Sequence, residues 1–584
     1  MKEVKIIDTL DELLQYRGEW EKLIDINGLD IPFMEFEWIV PWWEILRENQ
    51  ELYIITFFKQ DKVIGFCPLM KTKKGRYTEV EFLGSPQASY MDFLFDPSFR
   101  EELNMSFLDK VDKIKDSYLF NLHAFATRSE NFHILQKYLS DKGKTFYSRV
   151  IDCPYIDTRG KSFEEYYKAK RKHSSIKRIK SVEKKIADAG GELKYLNSSN
   201  LKENKDFMDK VFQIHDKRWS KKLDTSDFSS EKNKKFFTAL ATNNNKRLKV
   251  AVDFLTLNDE VIAFEYGIIT GKTYLGYRAC HDDDYSPLSP GKISLKENIK
   301  VIFDSDLEEF NFGTGYERYK LEWTDNRGGL NKLLFSTDDS YSLKILSTSM
   351  KKEELIKKLK SKPKIVSFKR NTLGKIKYIL SFAYIRTRIK DARGRLTLYS
   401  LKQLIKKTCY RIIEARYFQV DIFKMKKPKG LNYKYDESYS ATIASFNDVY
   451  TIAEFLKCSV KKVVSYMYKG NSCAIVWHKE KIVGCIWFSY SCENKRLKRQ
   501  IDIIGRKILF IKKIFADRKY HVKDIQYVGL THIHQQISKK EIFIGVRHRC
   551  IHNPNVTLKE MLIPQYCIRI KKVLKEEKVT LGEV

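Results

Sequence analysis

One short phrase occurs three times in this chain: Asp61-Lys62-Val63-Ile64-Gly65-Phe66, Asp259-Glu260-Val261-Ile262-Ala263-Phe264 and Glu480-Lys481-Ile482-Val483-Gly484-Cys485. Each copy follows an apolar run and opens another: Leu52 to Phe58 and Phe66 to Met70, Leu248 to Leu257 and Phe264 to Ile269, Cys473 to Trp477 and Cys485 to Tyr490. A charged tight turn between runs rich in strand formers is a β-hairpin signal. Solenoid repeats recur every ~20–50 residues; these copies lie much further apart and therefore mark repeated domains. The small fifth residue of each copy, Gly65, Ala263 or Gly484, suits a strand start where the backbone bends or is approached closely.

At 584 residues the chain exceeds what one core can organise and should divide into about three or four domains. Residues 1–150 are expected to form a first module and 151–335 a second, with a basic helical connector at 336–430 and a third module at 431–584. Apolar spacing through Leu10, Leu13, Leu14, Trp20, Leu23 and Ile24 predicts a helix over Asp8–Asp25, and Trp38, Trp42 and Trp43 enrich another after Pro32. Strands are expected at Val80–Leu83, Met91–Phe95 and Tyr118–Leu122. The second module repeats the plan, with helices at Phe163–Ala187, Asn204–Trp219 and Gly291–Asp304 and strands at Glu192–Leu196, Thr273–Ala279 and Glu309–Phe312. Helices are expected in the connector at Lys351–Lys360 and Leu398–Tyr417, and the third module opens with a strand at Tyr439–Ala444. Alternation of this kind predicts an α/β (α+β) fold with mixed sheets flanked by helices.

The net charge of +33 is concentrated: Lys344 to Gly430 holds 26 Lys and Arg against 5 Asp and Glu. Such a segment suits a phosphate backbone, as in tRNA, or an anionic membrane surface; Lys-rich solvated helix faces would look the same. No run reaches the ~20 apolar residues a spanning helix requires, and the N-terminus carries acidic residues where a secretory apolar region would lie. The expected location is cytoplasmic. Ten cysteines without a Cys-x-x-Cys pair read as buried free thiols. His532, His534, His548, Cys550 and His552 would align potential metal ligands if their i,i+2 spacings fell on strands. Basic neighbours and the absence of a metal-binding spacing leave the expectation at no metal. Neither a Walker loop nor a Gly-x-Ser-x-Gly elbow is present.

Three elements of the second module carry chemistry. Ser289-Pro290-Gly291-Lys292 lies between an expected strand and helix, where free backbone N–H groups and the macrodipole attract an anion. Phe312-Gly313-Thr314-Gly315-Tyr316-Glu317-Arg318-Tyr319-Lys320-Leu321-Glu322-Trp323 follows a strand directly, its glycines allowing close approach. In Phe212-Gln213-Ile214-His215-Asp216-Lys217-Arg218-Trp219, His215 and Trp219 are i,i+4 neighbours on one helix face.

A helix ending in His215…Arg218-Trp219, a hairpin, a Ser-Pro-Gly helix start and the Phe-Gly-x-Gly…Tyr-Lys…Trp ending resemble, in that order, the CelD-like (cellulose and exopolysaccharide biosynthesis) acetyltransferases of the GNAT superfamily. The resemblance spans about residues 20–330, including Phe36, Trp38, Trp42, Leu83-Gly84 and Tyr90-Met91-Asp92. Tyr316 stands where that family has an acidic residue, with Glu317 retained, and Asn311 where it has Asp. The third module shares the hairpin but lacks the family's glycine-rich phosphate loop near residues 511–530. The resemblance implies tandem GNAT-like modules and acyl transfer from acetyl-CoA or another acyl-CoA to an amine or hydroxyl of a small molecule or glycan. On it, His215 and Glu265 are candidate bases and Tyr277 a candidate proton donor to the leaving thiolate. Ser289, Gly291 and Lys292 would hold the pyrophosphate; Arg218, Trp219 and Lys320 would hold the acceptor. A Fem-like transferase using aminoacyl-tRNA and a non-catalytic envelope-biosynthesis scaffold are the alternatives.

Overall fold

The computed structural model describes residues 2–126, 129–198, 205–219, 228–242, 246–315, 317–360, 417–425, 436–489, 508–517, 519–537, 543–548, 562–573 and 576–583. The expected helix Leu398–Tyr417, apart from its last residue, lies outside them, as does most of the basic connector.

All three copies of the repeated phrase are hairpins: Ile54–Lys59 with Lys62–Cys67, Lys249–Leu257 with Glu260–Thr270, and Ser472–His478 with Lys481–Ser489. Gln60 and Asp61 (φ 48° and 60°) and Asn258 and Asp259 (φ 48° and 66°) turn the first two, two consecutive left-handed residues being what a tight hairpin turn needs. In each hairpin the register shifts directly after Phe57, Leu255 or Val476, and the partners of those residues are Gly65, Ala263 and Gly484. A Cβ on Gly65 would come within 2.6 Å of Phe95 and 2.9 Å of Leu103, and one on Gly484 within 2.3 Å of Ile525. Leu103 and Ile525 are the fourth residues of the helices Arg100–Asp112 and Val522–Ile537. Ala263 shares a buried cluster with Ile293, the fourth residue of Pro290–Phe303. The repeated small residue is thus the seat on which the next helix packs.

The middle of the chain sets out one complete copy: β1 (Leu193–Ser198), α1 (Lys205–Trp219), α2 (Glu231–Thr242), β2 (Lys249–Leu257), β3 (Glu260–Thr270), β4 (Thr273–His281), α3 (Pro290–Phe303), β5 (Glu309–Asn311) and the short α4 (Arg318–Leu321). Strands β1 to β4 are antiparallel neighbours in order; β5 lies parallel to β4, with α3 crossing between them. The sheet continues through Phe146–Asp157, Arg327–Ser336 and Tyr118–Ala126 into the N-terminal strands, so that eleven described strands form one framework.

The C-terminal sheet repeats the same order with β6 (Tyr417–Met425), β7 (Tyr439–Ile443), α5 (Val449–Phe455), α6 (Val460–Tyr468), β8 (Ser472–His478), β9 (Lys481–Ser489), β10 (Ile508–Ala516), α7 (Val522–Ile537), β11 (Phe543–His548) and β12 (Leu562–Val573). Its arrangement β7-β8-β9-β10-β11-β6-β12 matches that of the middle copy strand for strand, including the parallel pair β10 and β11 joined through α7. The fold is the expected α/β one, with mixed sheets flanked by helices.

Some expected elements differ locally. The helix expected over Phe163–Ala187 is two, Phe163–Lys170 and His173–Asp188. Arg171 leaves helical geometry there (ψ 134°), and its buried guanidinium pairs with Glu322 at 3.1 Å and lies over Trp323. The strand expected at Met91–Phe95 narrows to Leu94–Phe95; the buried Asp92 carboxylate instead accepts the Phe93 N–H at 2.7 Å. The helix expected at Lys351–Lys360 begins earlier, at Ser340.

Candidate functional site

Strands β4 and β5 pair over only three positions, Thr273 with Glu309, Tyr274 with Phe310 and Leu275 with Asn311. β4 then continues along β3 to His281, whereas the chain beyond β5 follows the strand Phe146–Asp157. There the Phe312 N–H donates to Pro154 at 2.9 Å and the Gly315 N–H to Asp152 at 3.1 Å. Glycine stands on both sides of the parting: a Cβ on Gly313 (φ +67°) would lie 3.7 Å from the Gly276 carbonyl. Past that point Ala279 and Thr314 are exposed and Gly276, Arg278 and Gly315 half-exposed, so both walls of the opening reach solvent.

The turn Asp283–Leu288 leads from β4 to α3. Ser289 is left-handed (φ 57°, ψ 44°), Pro290 begins the helix without an N–H, and the first turn holds no acidic residue. The exposed Lys292 adds a positive charge at the end where the macrodipole is already positive. The equivalent helix of the C-terminal sheet, α7, differs: Asp524 occupies its first turn, 3.2 Å from His521 Nδ1. An acidic first turn disfavours an anion at that end of the helix, whereas the first turn of α3 carries no acidic residue.

Arg218, Gly291 and its neighbours come together. Arg218 Nη1 lies 2.7 Å from His281 Nε2 and also contacts Nδ1, and a Cβ on Gly291 would come within 3.0 Å of that same Nδ1. Lys217 pairs with Asp282 at 2.8 Å and Asp284 at 2.6 Å, tying the end of α1 to the β4–α3 turn. His215 is buried and stacks on Trp219 (5.8 Å, 17°) and against Phe228 at 5.2 Å.

The three catalytic candidates do not converge. Glu265 points toward α3, where the Ser294 hydroxyl lies 3.2 Å from its Oε1; burial pushes its carboxyl up to about 8, the Ser294 hydrogen bond opposing and the charge of Asp253 adding to the shift. Tyr277 faces the opposite side, among Phe33, Trp38, Phe237 and Tyr266, and its hydroxyl donates to the Gln87 carbonyl at 3.1 Å. Lys320 is only 5% exposed. Its ammonium donates to the Thr314 carbonyl at 2.7 Å and pairs with Glu317 at 3.1 Å, so it fastens the Gly313–Gly315 loop from below.

Four neighbours of these residues escaped sequence reading: His281, Asp253, Ser294 and Asn298. Ser294 and Asn298 are fully buried on α3, between Ile293, which packs into one core cluster, and Leu295, Ile299 and Ile302, which pack into another. A polar i,i+4 pair inside an apolar stripe was the available signal. The histidine cluster does not assemble as spaced: His532 and His534 lie on helix α7, where i,i+2 residues do not share a face, and Cys550 and His552 lie outside the described residues. Among the described residues no group of three or more His, Cys, Asp and Glu could hold a metal, and no helix is long and apolar enough to cross a membrane.

Residues 173–321 match the family described as Acetyltransferase (GNAT) domain. No curated protein matches the sequence. Similar solved structures include the C-terminal domain of a lysylphosphatidylglycerol synthetase from Agrobacterium fabrum (13% identity, 57% of this chain and 96% of that one, TM-score 0.33). FemX (11%, 56% and 96%, TM-score 0.36) and a tandem GNAT protein from the clavulanic acid biosynthesis pathway (7%, 57% and 98%, TM-score 0.32) are others. The opening between β4 and β5, the acid-free start of α3 and the flanking hairpin all fall within residues 173–321, the part of the chain that matches the GNAT domain family.

Proposed function

We propose that the chain transfers an acyl group from acetyl-CoA or another acyl-CoA to an amine or hydroxyl of a sugar or polysaccharide precursor, as the CelD-like resemblance implies, in cell-surface polysaccharide biosynthesis. The observation that carries this reading is the parting of β4 from β5 beside the acid-free first turn of α3. A thioester lying in that opening runs along β4 beyond Leu275, the last residue paired with β5, where a backbone N–H of the strand would polarise its carbonyl; one well-aimed donor contributes about 3–4 kcal/mol to such a reaction. Ser289, Gly291 and Lys292 then hold the pyrophosphate. Arg218 and Trp219, at the same end of the opening, hold the acceptor, and His215 supports Trp219 by stacking. Lys320 acts by fixing the loop that forms the second wall. An alkylamine acceptor of pKa about 10.4 is almost wholly protonated at pH 7 and must shed that proton before it attacks; Glu265 pairs across β3 and β4 with the exposed Ala279 on the wall of the opening. The cationic surplus of residues 344–430 gives this cytoplasmic enzyme a weak hold on an anionic membrane surface.

Thermal denaturation with acetyl-CoA and longer acyl-CoAs tests the reading. A saturable rise in melting temperature supports it. No rise with any acyl-CoA, together with tRNA binding that falls steeply with salt, replaces it with an aminoacyl-tRNA-dependent transferase.

A further inference from the structure

A buried polar cluster lies between β2, β3 and α3. Asp253 of β2 and Glu265 of β3 are direct cross-strand partners, which puts their Cβ atoms about 5 Å apart on one face, and they are 1% and 6% exposed. The two are held differently. Asn298 Nδ2 donates to Asp253 Oδ2 at 2.8 Å and reaches the Tyr274 hydroxyl at 3.1 Å. Tyr274 gets there because its ring occupies the space of a Cβ on Gly267, which would lie 2.1 Å from it. Glu265 has the Ser294 hydroxyl. On its other side its cross-strand partner is Ala279 of β4, an exposed residue on the wall of the opening, and Tyr319 of α4 is near enough to feel its charge.

We propose that Glu265 acts as an acid, giving its proton to the sulfur that leaves when the acyl group is transferred, and that Asp253 is the positioning residue that keeps this proton on Glu265. The inference rests on the acyl-CoA reading of the site. Two carboxyl groups this close in a dry setting do not both ionise cheaply. The amide clamp from Asn298 favours the negative charge on Asp253, so the proton resides on Glu265, in keeping with the alkaline position of its titration. Among the described residues, Tyr195 from β1, Tyr274 from β4 and Tyr319 from α4 lie near enough to feel its charge. The charges on the outer face of α3 are spent elsewhere, Lys296 pairing with Glu183 and Glu297. In the reaction the acceptor nitrogen or oxygen bonds to the acyl carbon and the carbon–sulfur pair passes to sulfur. Sulfur takes the proton from the Glu265 carboxyl, and the surplus proton of the acceptor returns to the carboxylate.

Two measurements on the full chain test this: thiol release from acetyl-CoA as a function of pH with water as the acyl acceptor, and infrared titration of the carboxyl groups without acetyl-CoA. The wild-type rate should fall as pH rises through the midpoint of an alkaline carboxyl titration. Asp253→Asn, which is nearly isosteric, should move both midpoints down by about one pH unit, and Ser294→Ala, which removes a bond to the charged form, should move both up. Glu265→Gln should abolish the alkaline carboxyl titration and cost at least about tenfold in rate. An unmoved carboxyl titration in Asp253→Asn overturns the positioning role, and a rate that rises through the midpoint overturns the acid role. Failure of the wild type to bind acetyl-CoA overturns the acid role together with the acyl-CoA reading, while the infrared titration still reports on Asp253 alone.

Discussion

Glu265 links stability to pH in a direction set by burial. Its folded carboxyl titrates at about 8, far above the roughly 4.3 of an unfolded glutamate, so between these values the folded chain holds a proton the unfolded chain has released. The resulting stabilisation is fully present below the unfolded value and is lost as pH rises through the folded one. Urea unfolding at pH 5, 6.5 and 8 should show the wild type losing stability relative to Glu265→Gln across that range; parallel curves would contradict the assignment. Lys320 calls for a different test. Its ammonium is bonded to the Thr314 carbonyl and Glu317, so Lys320→Ala should lower stability by about 1.5–3 kcal/mol, the range for hydrogen bonds to charged groups. An unchanged urea midpoint would show that the loop does not depend on it.

Among elements, the hairpins show what sequence makes legible. A two-residue turn with left-handed backbone has a narrow composition, so Asn258-Asp259 could be recognised, as could the Pro290-Gly291 helix start. The register shift behind each turn has no such mark, and neither does the one between Tyr266 and Gly267. That shift leaves Tyr277 as an extra residue in β4 and, because a bulge changes which face a side chain takes, turns it into the aromatic core. Asp253 and Asn298 stayed hidden because they are 45 residues apart, and nothing in the pattern of either element pairs one with the other. The seat of the crossover helix gives an element-scale prediction. Gly484→Ala brings a methyl to 2.3 Å from Ile525 and should cost about 1–3 kcal/mol by overpacking, read as a lower urea midpoint with an unchanged slope. Wild-type stability would show that α7 shifts freely on its hairpin.

Across the whole molecule, the middle and C-terminal copies share a core. Tyr285, Leu288 and Ile293, from the turn and helix of the proposed anion site, lie in one buried cluster with Val463, Val464 and Met467 of α6. The C-terminal copy, whose own crossover helix carries Asp524 in its first turn, thus packs against the turn and helix start of the middle copy. Met467→Ala should destabilise the chain by about 2–5 kcal/mol and weaken acetyl-CoA binding, although Met467 is remote in sequence from residues 173–321. Loss of stability in calorimetry with unaltered affinity would separate the two roles.

The central claim is that the opening beside α3 receives an acyl-CoA, and isothermal calorimetry of acetyl-CoA with wild type and Gly291→Val tests it most directly. A side chain at 291 has to displace His281, whose Nδ1 lies 3.0 Å from the position of its Cβ, and fills the start of the helix. The account expects saturable one-to-one binding by the wild type and at least about tenfold weaker binding by Gly291→Val, a loss of about 1.4 kcal/mol, with the fold intact by circular dichroism. No binding by the wild type, or equal binding by both proteins, would contradict it.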